Sequence, residues 1–231
     1  MHQTTHIGRA TINDHLYSAE LCKQLYNFPS KNTMILHKER EKKLYVVLQG
    51  TNSICHWLHN ISILPTKDEG VHTGFKQYAN LCKNELVDTI MTSKHRLELD
   101  NVEKIYLTAH SLGASAIIIL VYQMLKDGIF SDHIRDLNID IVLFGAPKSG
   151  DTRFLRNFDA ILNRYPNISL YRYNVDNDLI KHYPPIFTYA HICNEITLHH
   201  TVVENKFDVS SLLYNHSINC YIECMLSKYR Y

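Results

Sequence analysis

Three short runs in this chain read as strands: Leu44-Tyr-Val-Val-Leu-Gln49, which is apolar almost throughout, Glu103-Lys-Ile-Tyr-Leu-Thr-Ala109, with its β-branched and aromatic residues, and Ile139-Asp-Ile-Val-Leu-Phe144. A strand with one wet face alternates apolar and polar residues, whereas a continuous run signals burial on both faces, the habit of a parallel sheet. Segments of helical character lie between the runs. From His72 to about Leu97 the residues Phe75, Tyr78, Ala79, Cys82, Leu86 and Ile90 share one helical face. Ile168 to Val175 reads as a further strand and Ile192 to Leu198 as another, with helices expected around Tyr17–Tyr26 and from about Ser217 onward. The residues between the first helix and Leu44 read as a polar stretch ending in Lys-Glu-Arg-Glu-Lys-Lys. Strands alternating with helices imply a mostly parallel central sheet with helices on both faces. Without repeats, low-complexity tracts or a linker, one α/β domain over residues 1–231 is the expectation.

The second run leads directly into Ala109-His-Ser111-Leu-Gly113, and then into Ala-Ser-Ala-Ile-Ile-Ile-Leu-Val-Tyr-Gln-Met-Leu, a segment of helical length. A serine in a tight strand-to-helix turn presents its hydroxyl outward in front of free helix N–H groups. This is the nucleophile elbow of α/β-hydrolases, Gly-x-Ser-x-Gly, whose small flanking residues let the chain pass close to itself. Alanine replaces the first glycine here. A serine hydroxyl attacks only when a base takes its proton and a carboxylate orients that base. The expected order is serine, acid, histidine. Asp176 and Asp178 both lie just past a strand, and position alone does not separate them. His182, His191, His199, His200 and His216 are available as bases, and His216 stands just before the last helix. His110 adjoins the serine, but neighbouring side chains in such a turn point apart, which makes it a poor base.

Composition narrows the field. A net charge of +1 gives no reason to expect nucleic acid, and the longest apolar stretch falls far short of a membrane span. The first ten residues lack the apolar core of a secretory signal, so a cytoplasmic protein with reduced, buried thiols at its six cysteines is expected. Fifteen histidines invite a metal hypothesis. The nearest clusters, Cys55-His56 with His59 and the pair His199-His200, lack the paired spacing of a structural zinc site, and no HExxH occurs. Neither a metal nor another cofactor is expected.

Several segments, in order from about Leu44 to Tyr221, resemble the class 3, fungal lipase-like family. Leu48-Gln-Gly50-Thr51 is similar to the end of its oxyanion-hole strand, and Asn52 to Ile61, with Trp57, to its short lid helix. Val71-His-Thr-Gly-Phe75 is similar to the start of the helix after the lid, and Ala109 to Gly113 to its elbow. Phe144-Gly-Ala-Pro-Lys-Ser-Gly150-Asp is similar to a loop usually written Phe-Gly-x-Pro-Arg-Val-Gly-Asn. Arg172 to Asp178, with Pro184-Pro185 beyond, resembles the acid loop, and its spacing selects Asp178 over Asp176. His216-Ser217 with Tyr221 resembles the final histidine segment.

The resemblance implies an α/β-hydrolase fold with a short lid helix, and a serine hydrolase of lipid carboxyl esters: a triacylglycerol lipase or a related acylglycerol or phospholipid esterase. Ser111 would be the nucleophile, His216 the base and Asp178 its orienting acid. The backbone N–H groups of Thr51 and Leu112, with the Thr51 hydroxyl, would meet the oxyanion. Ile54, Trp57 and Leu58 would give the lid an apolar surface that closes over the site in water and opens against lipid, with peripheral contact at a membrane or lipid droplet as the corollary. Two other readings compete: a non-catalytic lipase-like binding or scaffold protein, and a hydrolase of small esters. Oligomeric state, head group and chain length are not legible.

Overall fold

The computed structural model describes residues 7–51, 64–96, 101–128, 137–193, 195–200 and 213–229, with side chains in the helix of 73–96 described as far as residue 86. Its elements in chain order are α1 (Arg9–Leu25), β1 (Thr33–Lys38), β2 (Lys43–Leu48), α2 (Thr73–Arg96), β3 (Lys104–His110), α3 (Leu112–Lys126), β4 (Asn138–Phe144), β5 (Gly150–Asp151), α4 (Thr152–Leu162), β6 (Ile168–Val175), β7 (Tyr189–Ala190), β8 (Glu195–Leu198) and α5 (Ile218–Tyr229). Six strands form one sheet in the order β1-β2-β3-β4-β6-β8, and β5 pairs with β7 in a separate two-stranded patch. Within the six-stranded sheet the β1–β2 pairing is antiparallel and β2, β3, β4, β6 and β8 run parallel, while the β5–β7 pair is antiparallel.

Successive side chains of a strand point to opposite faces, and here that alternation builds two cores. Leu44, Val46 and Leu48 of β2, Ile105, Leu107 and Ala109 of β3, and Ile139, Ile141 and Leu143 of β4 meet α2, α3 and α4 on one side. Tyr45, Val47, Tyr106, Val142, Phe144, Tyr173 and Val175 meet α1 and α5 on the other. This double burial is why the central strands are mostly apolar, with Thr108 and Asp140 buried among them. Helix α3 is buried everywhere except at Gln123 and Lys126, so its Ile117-Ile-Ile-Leu-Val run needs no polar face. In α2, Phe75, Ala79, Cys82 and Leu86 are buried as the helical spacing requires, whereas Ile90 lies beyond the described side chains.

Two elements depart from the sequence reading. The polar stretch before Leu44 contains β1, an edge strand whose only fully buried residue is Thr33, so it lacks the apolar signature of its neighbours. Residues 152–162 form α4, capped by Asp151, whose carboxylate accepts the N–H groups of Arg153 and Phe154 at 2.9 and 3.0 Å. The helix near Tyr17 also starts earlier than expected, at Arg9. Among the described residues, no helix is long and apolar enough to cross a membrane.

Candidate active site

Ser111 stands between β3 and α3, as the cap of the helix, with φ 60° and ψ −129°, a positive-φ conformation that a residue with a side chain rarely adopts. Strain of this kind costs about 1–3 kcal/mol and persists only where the surroundings fix it. Two bonds do so: Ser111 N–H donates to the Phe144 carbonyl at 2.9 Å, and its own carbonyl accepts Ala114 N–H at 3.0 Å. The turn also runs against the exit of β2. A Cβ on Gly113 would stand 2.5 Å from the Gln49 carbonyl oxygen, so the second glycine of the motif is a steric requirement. At the first, Ala109 sits wholly buried in the sheet, paired with Leu48 on one side and Leu143 on the other. Thr51, half-buried, follows two residues after Gln49. Leu112 is the first residue of α3, where backbone N–H groups have no acceptor within the helix.

His216 brings its Nε2 to 2.8 Å from Ser111 Oγ and its Nδ1 to 2.7 Å from Asp178 Oδ2. An ionised carboxylate only accepts, so Nδ1 carries the proton and Nε2 is left to accept the serine hydroxyl. All three residues are buried. Asp178 lies just past β6, where it caps the short 3₁₀ turn Leu179–His182 by accepting Ile180 N–H at 2.9 Å on Oδ1. Tyr221 of α5 donates its hydroxyl to Oδ2 at 2.5 Å. Burial pushes this carboxyl up, but the neighbouring His216 and the bonds from His216, Tyr221 and Ile180 outweigh it, and its pKa falls below the usual 3.8. The Tyr221 phenol moves far upward through burial and the adjacent carboxylate, which keeps it a donor.

His110 turns away from the nucleophile. Its Nε2 donates to the His216 carbonyl at 2.7 Å, which leaves Nδ1 to accept the Tyr26 hydroxyl, also at 2.7 Å. Burial, reinforced by the His216 ring beside it, drops its pKa to about 3, so it stays neutral. A Tyr26–His110 strut thus holds the backbone of His216; no motif around Tyr26 announced it. Gly145 was also illegible. At φ 58°, a Cβ there would lie 3.0 Å from His216 Cε1, 3.0 Å from the Tyr221 hydroxyl and 3.1 Å from Asp178 Oδ2.

The competing residues lie elsewhere. Asp176 pairs with exposed His199 at 3.3 Å, and His191 donates to the Lys181 carbonyl at 2.7 Å. Ile54, Trp57 and Leu58 lie outside the described residues, as do Cys55, His56 and His59. Cys22, Cys82, Cys193, Cys220 and Cys224 are free thiols, all buried except the half-buried Cys193.

A serine bonded to a histidine whose far nitrogen is held by a carboxylate is the arrangement that activates a hydroxyl for acyl transfer. The chain is 27% identical over 171 residues to a lipase of Rhizomucor miehei, covering 71% of this chain and 44% of that protein. It is 24% identical over 159 residues to a lipase of Rhizopus niveus, covering 67% of this chain and 38% of that one. It therefore spans less than half the length of these relatives. Among solved structures, the Lip2 lipase of Yarrowia lipolytica superposes with a TM-score of 0.64 at 20% identity, covering 85% of this chain and 81% of that one. The lipase of Rhizopus microsporus var. chinensis also gives 0.64, at 19% identity, covering 93% and 86%. The fold is thus that of the fungal lipases, an α/β-hydrolase fold. The sequence model described as lipase (class 3) matches residues 45–188, more than half of the chain, and the chain belongs to that family.

Proposed function

We propose that this chain is a serine hydrolase of lipid carboxyl esters, acting through an acyl-enzyme. The observation that carries the reading is the unbroken, buried chain of hydrogen bonds Ser111–His216–Asp178. Ser111 Oγ attacks the ester carbonyl as His216 Nε2 takes its proton. The imidazolium so formed is stabilised by Asp178 and then protonates the departing alcohol. Water, deprotonated by the same nitrogen, releases the acid and restores the serine. The oxyanion is met by the N–H groups of Leu112 and Thr51, and the positive end of α3 adds to that field.

A lipid as the acyl donor is supported by the lipase relatives and by the acid loop itself, where Leu179, next to Asp178, and Phe187 expose apolar side chains. Residues near 52–64 act in this reading as the lid, with Ile54, Trp57 and Leu58 as its apolar contacts. Buried Ser111 needs such an opening before an ester can reach it.

The test is hydrolysis of nitrophenyl esters of increasing chain length, with labelling by a fluorophosphonate probe, by wild type and Ser111→Ala. Probe labelling confined to wild type and a drop of about 10⁴-fold or more in the variant are expected. An optimum at long chains supports a lipase, and one at acetate or butyrate a small-ester hydrolase. Folded wild type that neither labels nor turns over would leave the non-catalytic reading. Liposome co-sedimentation unchanged in Trp57→Ala/Leu58→Ala would remove the lid as the source of membrane contact.

A further inference from the structure

His200 follows β8, while Cys220 and Cys224 stand four residues apart on α5, the spacing that stacks two side chains on one helix face. Their sulfurs are 4.0 Å apart and both residues are buried. One ring nitrogen of His200 and the two sulfurs all lie within 4.8 Å of one another. Two thiols and an imidazole from separate elements therefore converge on one point. At 4.0 Å the sulfurs are not bonded to each other. A tetrahedral zinc with sulfur ligands at about 2.3 Å and nitrogen at about 2.0–2.1 Å would hold the sulfurs roughly 3.8 Å apart and the nitrogen roughly 3.6 Å from each, so coordination asks a few tenths of an ångström of the sulfurs and up to about 1 Å of the half-exposed imidazole.

We propose that His200, Cys220 and Cys224 bind a thiophilic divalent cation, zinc by its chemistry. Two thiolates and an imidazole prefer zinc to magnesium or calcium, which take oxygen. On binding, each thiol releases its proton and the two thiolates neutralise the dication, so the buried site carries no net charge. Three side chains leave one corner of the tetrahedron to an exchangeable ligand such as water. The Tyr214 ring stands edge-on to His200 at 5.6 Å between centroids and limits the rotation of the imidazole. The spacing, one histidine and then two cysteines twenty and twenty-four residues later, matches no familiar zinc motif, which is why the sequence alone pointed to no metal.

The site lies outside the triad but bears on it. Cys220 follows His216 by one helical turn and adjoins Tyr221, so a cation shared with His200 would cross-link the β8 end to the segment that carries the base. Such a link stabilises the native state by mass action and by closing the intervening chain.

The experiment uses the full chain, reduced and stripped of metal, titrated with zinc in equilibrium dialysis and with cobalt(II) in an optical spectrometer. The expected result is one ion per chain, with the thiolate-to-cobalt charge-transfer band and intense visible absorption of a tetrahedral site. Cys224→Ser and Cys220→Ser should each lose the ion. His200→Ala should bind at least tenfold more weakly, and zinc should raise the thermal midpoint of wild type only. Circular dichroism checks folding; if the buried cysteine variants unfold, half-exposed His200 decides the matter. Reduced wild type that takes up no stoichiometric ion would overturn the proposal. Affinity unchanged in His200→Ala would do the same, as would binding lost in Cys55→Ser instead of Cys224→Ser. The readout is metal binding, so it stands whether or not the chain hydrolyses esters.

Discussion

Replacing Tyr221 with phenylalanine removes one oxygen atom from the centre of the molecule and tests how the acid of the candidate triad is held. Asp178 accepts three bonds, from Tyr221 at 2.5 Å, His216 at 2.7 Å and Ile180 N–H at 2.9 Å, and the first two share Oδ2. A hydrogen bond to a charged group contributes about 1.5–3 kcal/mol, and here the acceptor is a fully buried carboxylate that water cannot reach to compensate. The ring keeps its packing in Tyr221→Phe, so the loss should be close to the bond itself, about 2 kcal/mol. In urea, with a slope of about 3 kcal/mol/M, that lowers the midpoint by roughly 0.7 M. Ester hydrolysis should fall roughly tenfold, since the bond to His216 survives. The pH dependence supplies a second check. In wild type the folded-state pKa of Asp178 lies below 3.8, so its stabilisation is complete above about pH 4 and is lost as pH falls through the folded value. Without the phenol the folded pKa moves back up, and the variant has less to lose. The gap between the two proteins should therefore be constant near neutrality and close below about pH 4. A midpoint at pH 7 within 0.2 M of wild type, or a gap that widens in acid, would refute the reasoning.

Gly145→Ala drives a methyl group to about 3 Å from His216, Tyr221 and Asp178 at a left-handed φ of 58°. A loss of about 2 kcal/mol, seen as a melting point lower by about 6 °C, should accompany the loss of most of the ester hydrolysis. Asp151→Ala leaves two N–H groups of α4 without their acceptor; it should cost about 1 kcal/mol in urea unfolding and leave ester hydrolysis intact. Burial depresses His110 and His191 to about 3 and His72 to about 4, from 6.5. The unfolded chain binds these protons first, so stability should decline from about pH 6.5 towards pH 3, and His110→Gln should flatten part of that slope. Urea midpoints across that range measure it.

What could be read in advance follows the physics of burial. Strands β2, β3 and β4 announced themselves because helices cover both their faces, which favours apolar sequence, and β6 through its β-branched and aromatic residues. Strand β1 did not, because an edge strand with one fully buried residue can be written in Met-Ile-Leu-His-Lys and still resemble a polar linker. Ser111 was legible because its turn is local, with strand, small residues and helix all in view. Asp178 and Asp176 are two residues apart; position alone left them level, the family spacing chose Asp178, and folding separates them: one caps a buried turn beneath Tyr221, while the other faces His199 at the surface. The approach of Tyr26 to His110, like that of His200 to two cysteines, depends on contacts between distant elements, which no local pattern records.

The layer formed by α1 and α5 has a consequence for biosynthesis. These two helices pack on each other and on the same side of the sheet, although one comes early in the chain and the other late. A growing chain can lay β2, β3 and β4 together as they emerge, with α1 already against Tyr106 through Asp14 and His15, but Phe144 lacks its contact with Tyr221 until α5 arrives. His216 arrives with it. Ser111 is therefore made well before Asp178 and His216, and its hydroxyl gains the bond to His216 Nε2 only once the segment that carries α5 has docked. In the proposed hydrolase reading, the appearance of esterase activity during refolding would time the docking of α5.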